Sequence, residues 1–232
     1  MLLRVLDFET TGTPPDAAVC EVGWTDVQMH SGDATIGAPQ AMLVNPNRPM
    51  PPEARAVHHI SDDDLDGAPP ITTGFLALGK GSPDYYVAHN AEFERHFFAG
   101  GNATWICTMK AARRAWADLP GFSNQFLRYH LGIDELALNF DRDLAMPPHR
   151  AGPDTYVTAH ILTALLKVAT PAQLAEWTRM PVHYPRVPMT KHRGKLWSEV
   201  DTGLLRWFLN ADVEKDVKVA ARAELDRRSG GY

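Results

Sequence analysis

The chain opens on an apolar run, Leu2 to Phe8 (LLRVLDF), that turns acidic at its end. The run is rich in β-forming residues and reads as a buried strand. Asp7 and Glu9 stand at i and i+2, so in a strand both carboxylates leave the same face, with Phe8 turned to the core on the other. Two carboxylates at the end of a buried strand offer the oxygen donors that a hard divalent cation takes. A lone D-x-E pair is equally the mark of a solvated acidic sheet edge. Here, however, Thr10, Thr11 and Gly12 follow at once, a tight polar turn whose backbone N–H groups can approach a substrate.

Two further stretches, 18–29 and 41–44, read as strands, with Gly, Asp and Ser between them as turn signals. Three early strands joined in this way suggest an antiparallel meander. A proline-rich loop from Asn45 leads to a helix over Pro52 to His58, and Ser61 followed by three aspartates looks like a capped first turn. Asp84 to Ala88 predicts a short strand. Asn90 is expected to cap a helix over Ala91 to Phe98, and further helices are expected near 109–116, 124–131 and, as a long one, before Lys167. Strands first, then strands alternating with helices, indicate a mixed α/β domain ending near Thr178. Residues 179–190, with three prolines between Met180 and Pro188, read as a linker, and 191–232 as a small basic segment ending in a charged helix.

Two more acidic signals lie along the chain. In HNAEFERH, Asn90 falls where a strand gives way to a helix, and Glu94 falls on that helix's first or second turn. In HRAGPD, His149 lies in a loop and Asp154 opens the long helix. Each taken alone is also what an N-cap, a dipole-compensating acid or an exposed loop histidine would look like. Together and in this order, D-x-E, then an acid after HNA-x-F, then H-x4-D, they resemble the DEDDh exonucleases, the DnaQ-like group of the ribonuclease H-like superfamily. RPMPPEARAVHHISDDDL resembles the segment after that family's third strand. WICTMKAARRAW and KHRGKLWSEVDTGLLRWFLN resemble a DNA-degrading branch of it, so the likeness covers nearly the whole chain.

The resemblance implies a ribonuclease H-like mixed sheet, an antiparallel meander plus parallel strands flanked by helices, with a small C-terminal appendage. It implies 3′→5′ hydrolysis of DNA to nucleoside 5′-monophosphates, in the service of DNA repair. Asp7, Glu9, Glu94 and Asp154 would hold two Mg²⁺ or Mn²⁺ ions about 3.5–4 Å apart, one activating the attacking water and one stabilising the leaving 3′-oxygen. His149 would be the general base, since an imidazole ordinarily titrates near pH 6.5. Thr10, Thr11 and Gly12 would line the 3′-terminal nucleotide, Asn90 would orient the helix of Glu94, and His58 would lie on the substrate side or pack beneath it. Lys191, Arg193 and Lys195, with Trp197 and Trp207 nearby, would contact phosphates and unpaired bases.

Two positions depart from that family's pattern. Glu94 stands where an Asp is usual, and its extra methylene adds about 1.5 Å of reach, against a catalytic tolerance of roughly 0.5 Å. Thr13 stands where an apolar wedge, often Leu, is common. The readings left open are an RNA exonuclease of the same fold, a nucleic-acid-binding module with weakened catalysis, and a polymerase proofreading subunit.

Composition adds bounds. The 232 residues suffice for one domain with an appendage. No apolar run approaches a membrane span of about 18 residues, and the opening segment lacks the cleavage region of a signal peptide. Two cysteines, Cys20 and Cys107, make neither a metal-ligand pair nor a disulfide framework, which points to a reducing cytoplasm. The net charge of −5 divides unevenly: from Arg179 on, eleven Lys/Arg face seven Asp/Glu, a net +4 that leaves −9 on residues 1–178. Carboxylates that hold cations would account for an acidic body.

Overall fold

The computed structural model describes residues 1–182, 184 and 186–230. Positions 183 and 185 of the expected linker and 231–232 of the expected tail lie outside the described residues. The expected meander is present with one more strand than the sequence suggested. β1 (Leu2–Thr10) pairs antiparallel with the long β2 (Val19–His30), and β2 in turn pairs with β3 (Asp33–Ile36) and β4 (Gln40–Leu43). β3 escaped the sequence reading because DATI is short, polar and only partly buried. α1 (Pro52–His58) and α2 (Ile71–Gly79) follow. β5 (Tyr85–Ala88) then pairs parallel with β1, and after the crossover helix α3 (Ala91–Phe97), β6 (Thr104–Cys107) extends the sheet to the order β3-β2-β1-β5-β6. This is the ribonuclease H-like mixed sheet.

α4 (Thr108–Ala115), α5 (Asn124–His130), α6 (Ile133–Leu136), α7 (Ala151–Leu166) and α8 (Pro171–Arg179) complete the body. Leu3 and Val5 on one face of β1 join Val87 and Ile106 in a core closed by Val157, Ile161 and Leu165 of α7. Leu6 and Phe8 on the other face join Val22, Leu78 and Tyr86 beneath α2 and α3. The period of two thus carries Asp7 and Glu9 to the α7 side. Arg4 breaks the apolar alternation. Its guanidinium is buried but satisfied, paired with Asp26 at 2.7 and 2.8 Å and donating to the carbonyls of Ala77, Leu78 and Lys80, where it meets the negative end of α2.

The C-terminal segment has a core of its own. Trp197, Val200, Leu205, Phe208 and Val217 pack together with Val182, Tyr184 and Val187, so part of the expected linker belongs to the tail's interior. α9 (Thr202–Asn210) and α10 (Lys215–Ser229) carry this core. The unit sits against α4 through Lys110–Asp216 at 3.2 Å, Arg113–Glu214 at 3.5 Å and a hydrogen bond from Arg113 to the Tyr184 hydroxyl. Residues 186–196 fold back on themselves, with Val187 N–H donating to Lys195 O and Gly194 N–H to Val187 O, both at 2.9 Å. That turn leaves Lys191, Arg193 and Lys195 exposed. Trp197 is buried and donates its indole N–H to Tyr184 O, so it packs the tail and offers no face for a base, whereas Trp207 is 49% exposed.

Candidate active site

The site forms where β1 ends. A register shift between Glu9 and Thr10 interrupts the ladder to β2 and swings the chain into the turn after Thr10. Asp7 and Glu9, on one face, meet Asp154 from the first turn of α7, and one carboxylate oxygen of each lies within 4.8 Å of the others. Glu94, the fourth residue of α3, falls outside this triad. It is buried, and its Oε2 has no hydrogen-bond partner within the protein.

Burial, with like charges close by, raises the pKa of every carboxyl group in the cluster. Burial, then the charges of Glu9, Asp154, Glu94 and Glu21, raise Asp7 well above the ordinary carboxylate range. Burial and the charges of Asp154 and Glu21 push Glu9 up to about 8, and burial with Glu9 nearby does the same to Glu94. Asp154 is also raised, by burial, although the N–H of His149 and the amide of Gln125 favour its charged form. Four carboxyl groups with raised pKa values and an orphaned buried oxygen are what a group of hard oxygen ligands looks like without its counter-charge. The donor set fits divalent cations.

His149 is exposed, and its backbone is left-handed at φ 60°. Its N–H donates to Asp154 Oδ2 at 2.9 Å, closing residues 149–154 into a loop on the triad's edge. Gln125 Nε2 reaches Asp154 Oδ1 at 3.2 Å, and Asn124 Nδ2 holds Asp154 O at 3.1 Å.

The residues expected along the substrate divide into two groups. Gly12 is exposed at the tip of the turn. Thr10 and Thr11 are buried, and their hydroxyls are used to hold that turn: Thr10 Oγ1 donates to Gly12 O at 2.6 Å, and Thr11 Oγ1 accepts from Ala18 N–H at 3.0 Å. His58 is only 2% exposed. Its ring takes the N–H of Ile60 and approaches Thr10 O at 3.3 Å and Cys20 Sγ, so it is packed beneath the turn. Asn90 occupies the N-cap position of α3, as expected, but makes no capping bond with its side chain and is left exposed beside the site.

The sequence reading missed Glu21 and Arg150. Glu21 lies opposite Glu9 in the β1–β2 register and is 2% exposed. Arg150 donates to it twice, at 2.5 and 3.0 Å. A carboxylate inside the apolar run VCEVG was the visible signal, since Glu is almost never fully buried unless paired.

A sheet of this order with a carboxylate triad at the end of its first strand, a fourth buried acid beside it and a histidine loop tied to the triad defines a DEDDh exonuclease. The profile of the RNase T exonuclease family matches residues 5–162, and the chain belongs to that family. It is a metal-dependent 3′→5′ exonuclease acting on nucleic acids. The chain is 35% identical over 214 residues to exodeoxyribonuclease 10 of Escherichia coli K12, covering 90% of this chain and 91% of the relative. A solved structure of exonuclease X in complex with 5′ overhanging duplex DNA superposes with a TM-score of 0.61 at 32% identity, over 76% of this chain and 99% of that one. The nuclease domain of 3′hExo, a DEDDh family member bound to rAMP, shares the fold at a TM-score of 0.53 and 17% identity, over 72% of this chain and 92% of that one. No helix among the described residues is long and apolar enough to cross a membrane.

Proposed function

We propose that this protein shortens DNA from its 3′ end, releasing nucleoside 5′-monophosphates in the course of DNA repair in the cytoplasm. Asp7, Glu9, Glu94 and Asp154 are the metal ligands in this reading and His149 is the general base. The observation that carries it is the meeting of the Asp7–Glu9–Asp154 triad with a histidine loop whose backbone is bonded to the triad's own Asp154. Two divalent cations, Mg²⁺ or Mn²⁺, would supply charge neutralisation at the scissile phosphate and a more acidic attacking water. The protein's part is to hold four oxygen donors in place, to keep an imidazole within reach of the water's proton, and to present Gly12 and the exposed Asn90 to the last nucleotide. DNA is favoured over RNA because the 35% identity with an exodeoxyribonuclease runs over 90% of the chain, beyond the catalytic motifs that both kinds of enzyme share.

Incubation of 5′-labelled DNA and RNA oligonucleotides with the protein and Mg²⁺ or Mn²⁺ tests this. A 3′-shortening ladder should appear on DNA at least about tenfold faster than on RNA, a difference of about 1.4 kcal/mol in barrier. Equal or faster cutting of RNA would mean the substrate is RNA.

Glu94 gives a second test. Even with the longer side chain it stands outside the 4.8 Å triad, so the extra methylene is read as compensation for the position of α3. Glu94→Asp should therefore lower turnover by about 10- to 100-fold, the cost of roughly 1 Å of misplacement. The loss should be deeper with Mg²⁺ than with Mn²⁺, since Mg²⁺ demands stricter geometry. Faster turnover would show that Glu94 overreaches instead.

We further propose that the body (1–178) carries the chemistry and that, beyond the 179–190 connection, the 191–232 unit holds the DNA backbone through the exposed turn bearing Lys191, Arg193 and Lys195. Replacing all three with Gln should flatten the log–log salt dependence of single-strand binding by about two units, at about 0.7 per phosphate contact. Since the three side chains are exposed, the melting temperature should not move. An unchanged salt slope would remove these residues from the interface.

A further inference from the structure

Glu21 and Arg150 touch neither the triad's ligand atoms by hydrogen bond nor any position assigned above to the substrate. Their bonds all converge on the segment that carries His149. Helix α7 begins at Ala151, and the residue before it, Arg150, provides no side-chain cap. The first orphan donor of the helix, Ala151 N–H, is buried and is taken by Glu21 Oε2 at 2.9 Å, from the middle of β2. The same carboxylate receives Arg150 Nη2 at 2.5 Å and Nε at 3.0 Å, a two-pronged pair in which Glu21 is almost wholly buried. Two residues along β2, on the same face, Gly23 lies opposite Asp7 and directly beneath Ala151: a Cβ at Gly23 would stand 2.3 Å from the Ala151 carbonyl carbon. Glu21 and Gly23 thus form one seat for the start of α7, one by bonding it and one by letting it approach.

His149 sits one residue upstream of this seat, in a left-handed conformation uncommon for residues other than Gly, although His, like Asn and Asp, enters it more readily than most. Such a conformation persists where the surroundings fix it. Two fixings are present. His149 N–H is bonded to Asp154, and the next two residues are bonded to Glu21. We infer that Glu21 and Arg150 are positioning residues, a clamp from β2 that holds His149 in its left-handed conformation at the edge of the carboxylate triad. The inference rests on the reading of His149 as general base.

The two members of the clamp carry opposite charges, which separates positioning from field effects. Arg150→Met makes the site more negative and Glu21→Gln makes it less so, and each breaks the two-pronged pair that steadies the start of α7. If the clamp positions His149, both variants lower kcat by about 10- to 100-fold, with KM for DNA unchanged. In metal-free protein both also speed hydrogen exchange at the amides of His149 and Ala151. In a His149→Ala background neither variant costs more than about threefold further, because the group being positioned is gone. Turnover and Mn²⁺ affinity moving in opposite directions in the two variants would overturn the inference in favour of a purely electrostatic influence. A full additional loss in the His149→Ala background, or unchanged exchange at the two amides, would overturn it also. If His149→Ala alone leaves kcat intact, it is the general-base reading that fails, and the amide exchange still reports on the clamp.

Discussion

Replacing Asp7 with Asn should abolish hydrolysis while making the metal-free protein more stable at neutral pH. Burial raises the pKa of Asp7, and the charges of Glu9, Asp154, Glu94 and Glu21 around it raise it further. In the unfolded chain these carboxyl groups ionise near their ordinary values, about 4. In the fold Glu9 and Glu94 hold their protons up to about 8, and Asp7 is raised well above its ordinary range. The native state therefore binds more protons than the unfolded one through this window. The stability these groups contribute is full below about pH 4 and is lost as pH rises towards 8, at about 1.4 kcal/mol per pH unit for each such group. Melting in EDTA should show the midpoint falling between pH 5 and pH 8. Mg²⁺ should recover it, since a cation at a hundred times its Kd adds about 2.7 kcal/mol, or roughly 5–10 °C for a chain of this size. Asp7→Asn removes one repelling charge and one ligand, so both the pH-dependent fall and the Mg²⁺ recovery should shrink, and turnover should drop at least about 10³-fold, several kcal/mol of lost transition-state stabilisation. A variant with near-normal turnover, or one that melts with the same pH dependence as the parent, would remove Asp7 from the metal site.

Asp7 and Glu9 were legible because period-two alternation on an apolar strand fixes the face they share, and the structure places them there with Asp154. Most of the body's longer elements were legible too, from the first strand to the long helix. What failed were short elements whose formation depends on neighbours. Thr104–Cys107 is a four-residue strand completed by pairing with β5, and Ile71–Gly79 contains Gly and two threonines, poor helix formers that packing overrides. Thr10 and Thr11 were read as lining the last nucleotide and His58 as lying beside it or packing beneath; in the structure the two hydroxyls and the buried imidazole bond the turn from within, because a group that can line a cleft can equally satisfy a buried loop. Trp197 went the same way in the tail. Glu21 and Arg150 were invisible as a pair because they lie 129 positions apart, and only the seating of α7 on β2 brings them together.

Loss of the His149 imidazole should slow turnover by about 10²- to 10⁴-fold, the range for a positioned general base. The position permits a clean test. His149 is exposed, so no core contact is lost with its side chain, and the bond to Asp154 comes from its backbone N–H, which every replacement but proline retains. The left-handed φ of 60° is the one feature that a replacement could disturb. Asn tolerates that conformation better than most residues, so His149→Asn should keep the loop closed, and His149→Ala should match it if only the imidazole matters. Both variants should bind Mn²⁺ and DNA as the parent does, since the imidazole is not a ligand in this scheme and the triad is untouched. Single-turnover cleavage at saturating metal isolates the chemical step. There the two variants should be equally slow, and added free imidazole should restore part of the rate. If His149→Asn cuts within about threefold of the parent while His149→Ala is slow, the loop's shape is what matters and the proton is taken elsewhere. If both variants lose Mn²⁺ and regain full rate at high metal, His149 is a ligand and the four carboxylates are not the whole metal site.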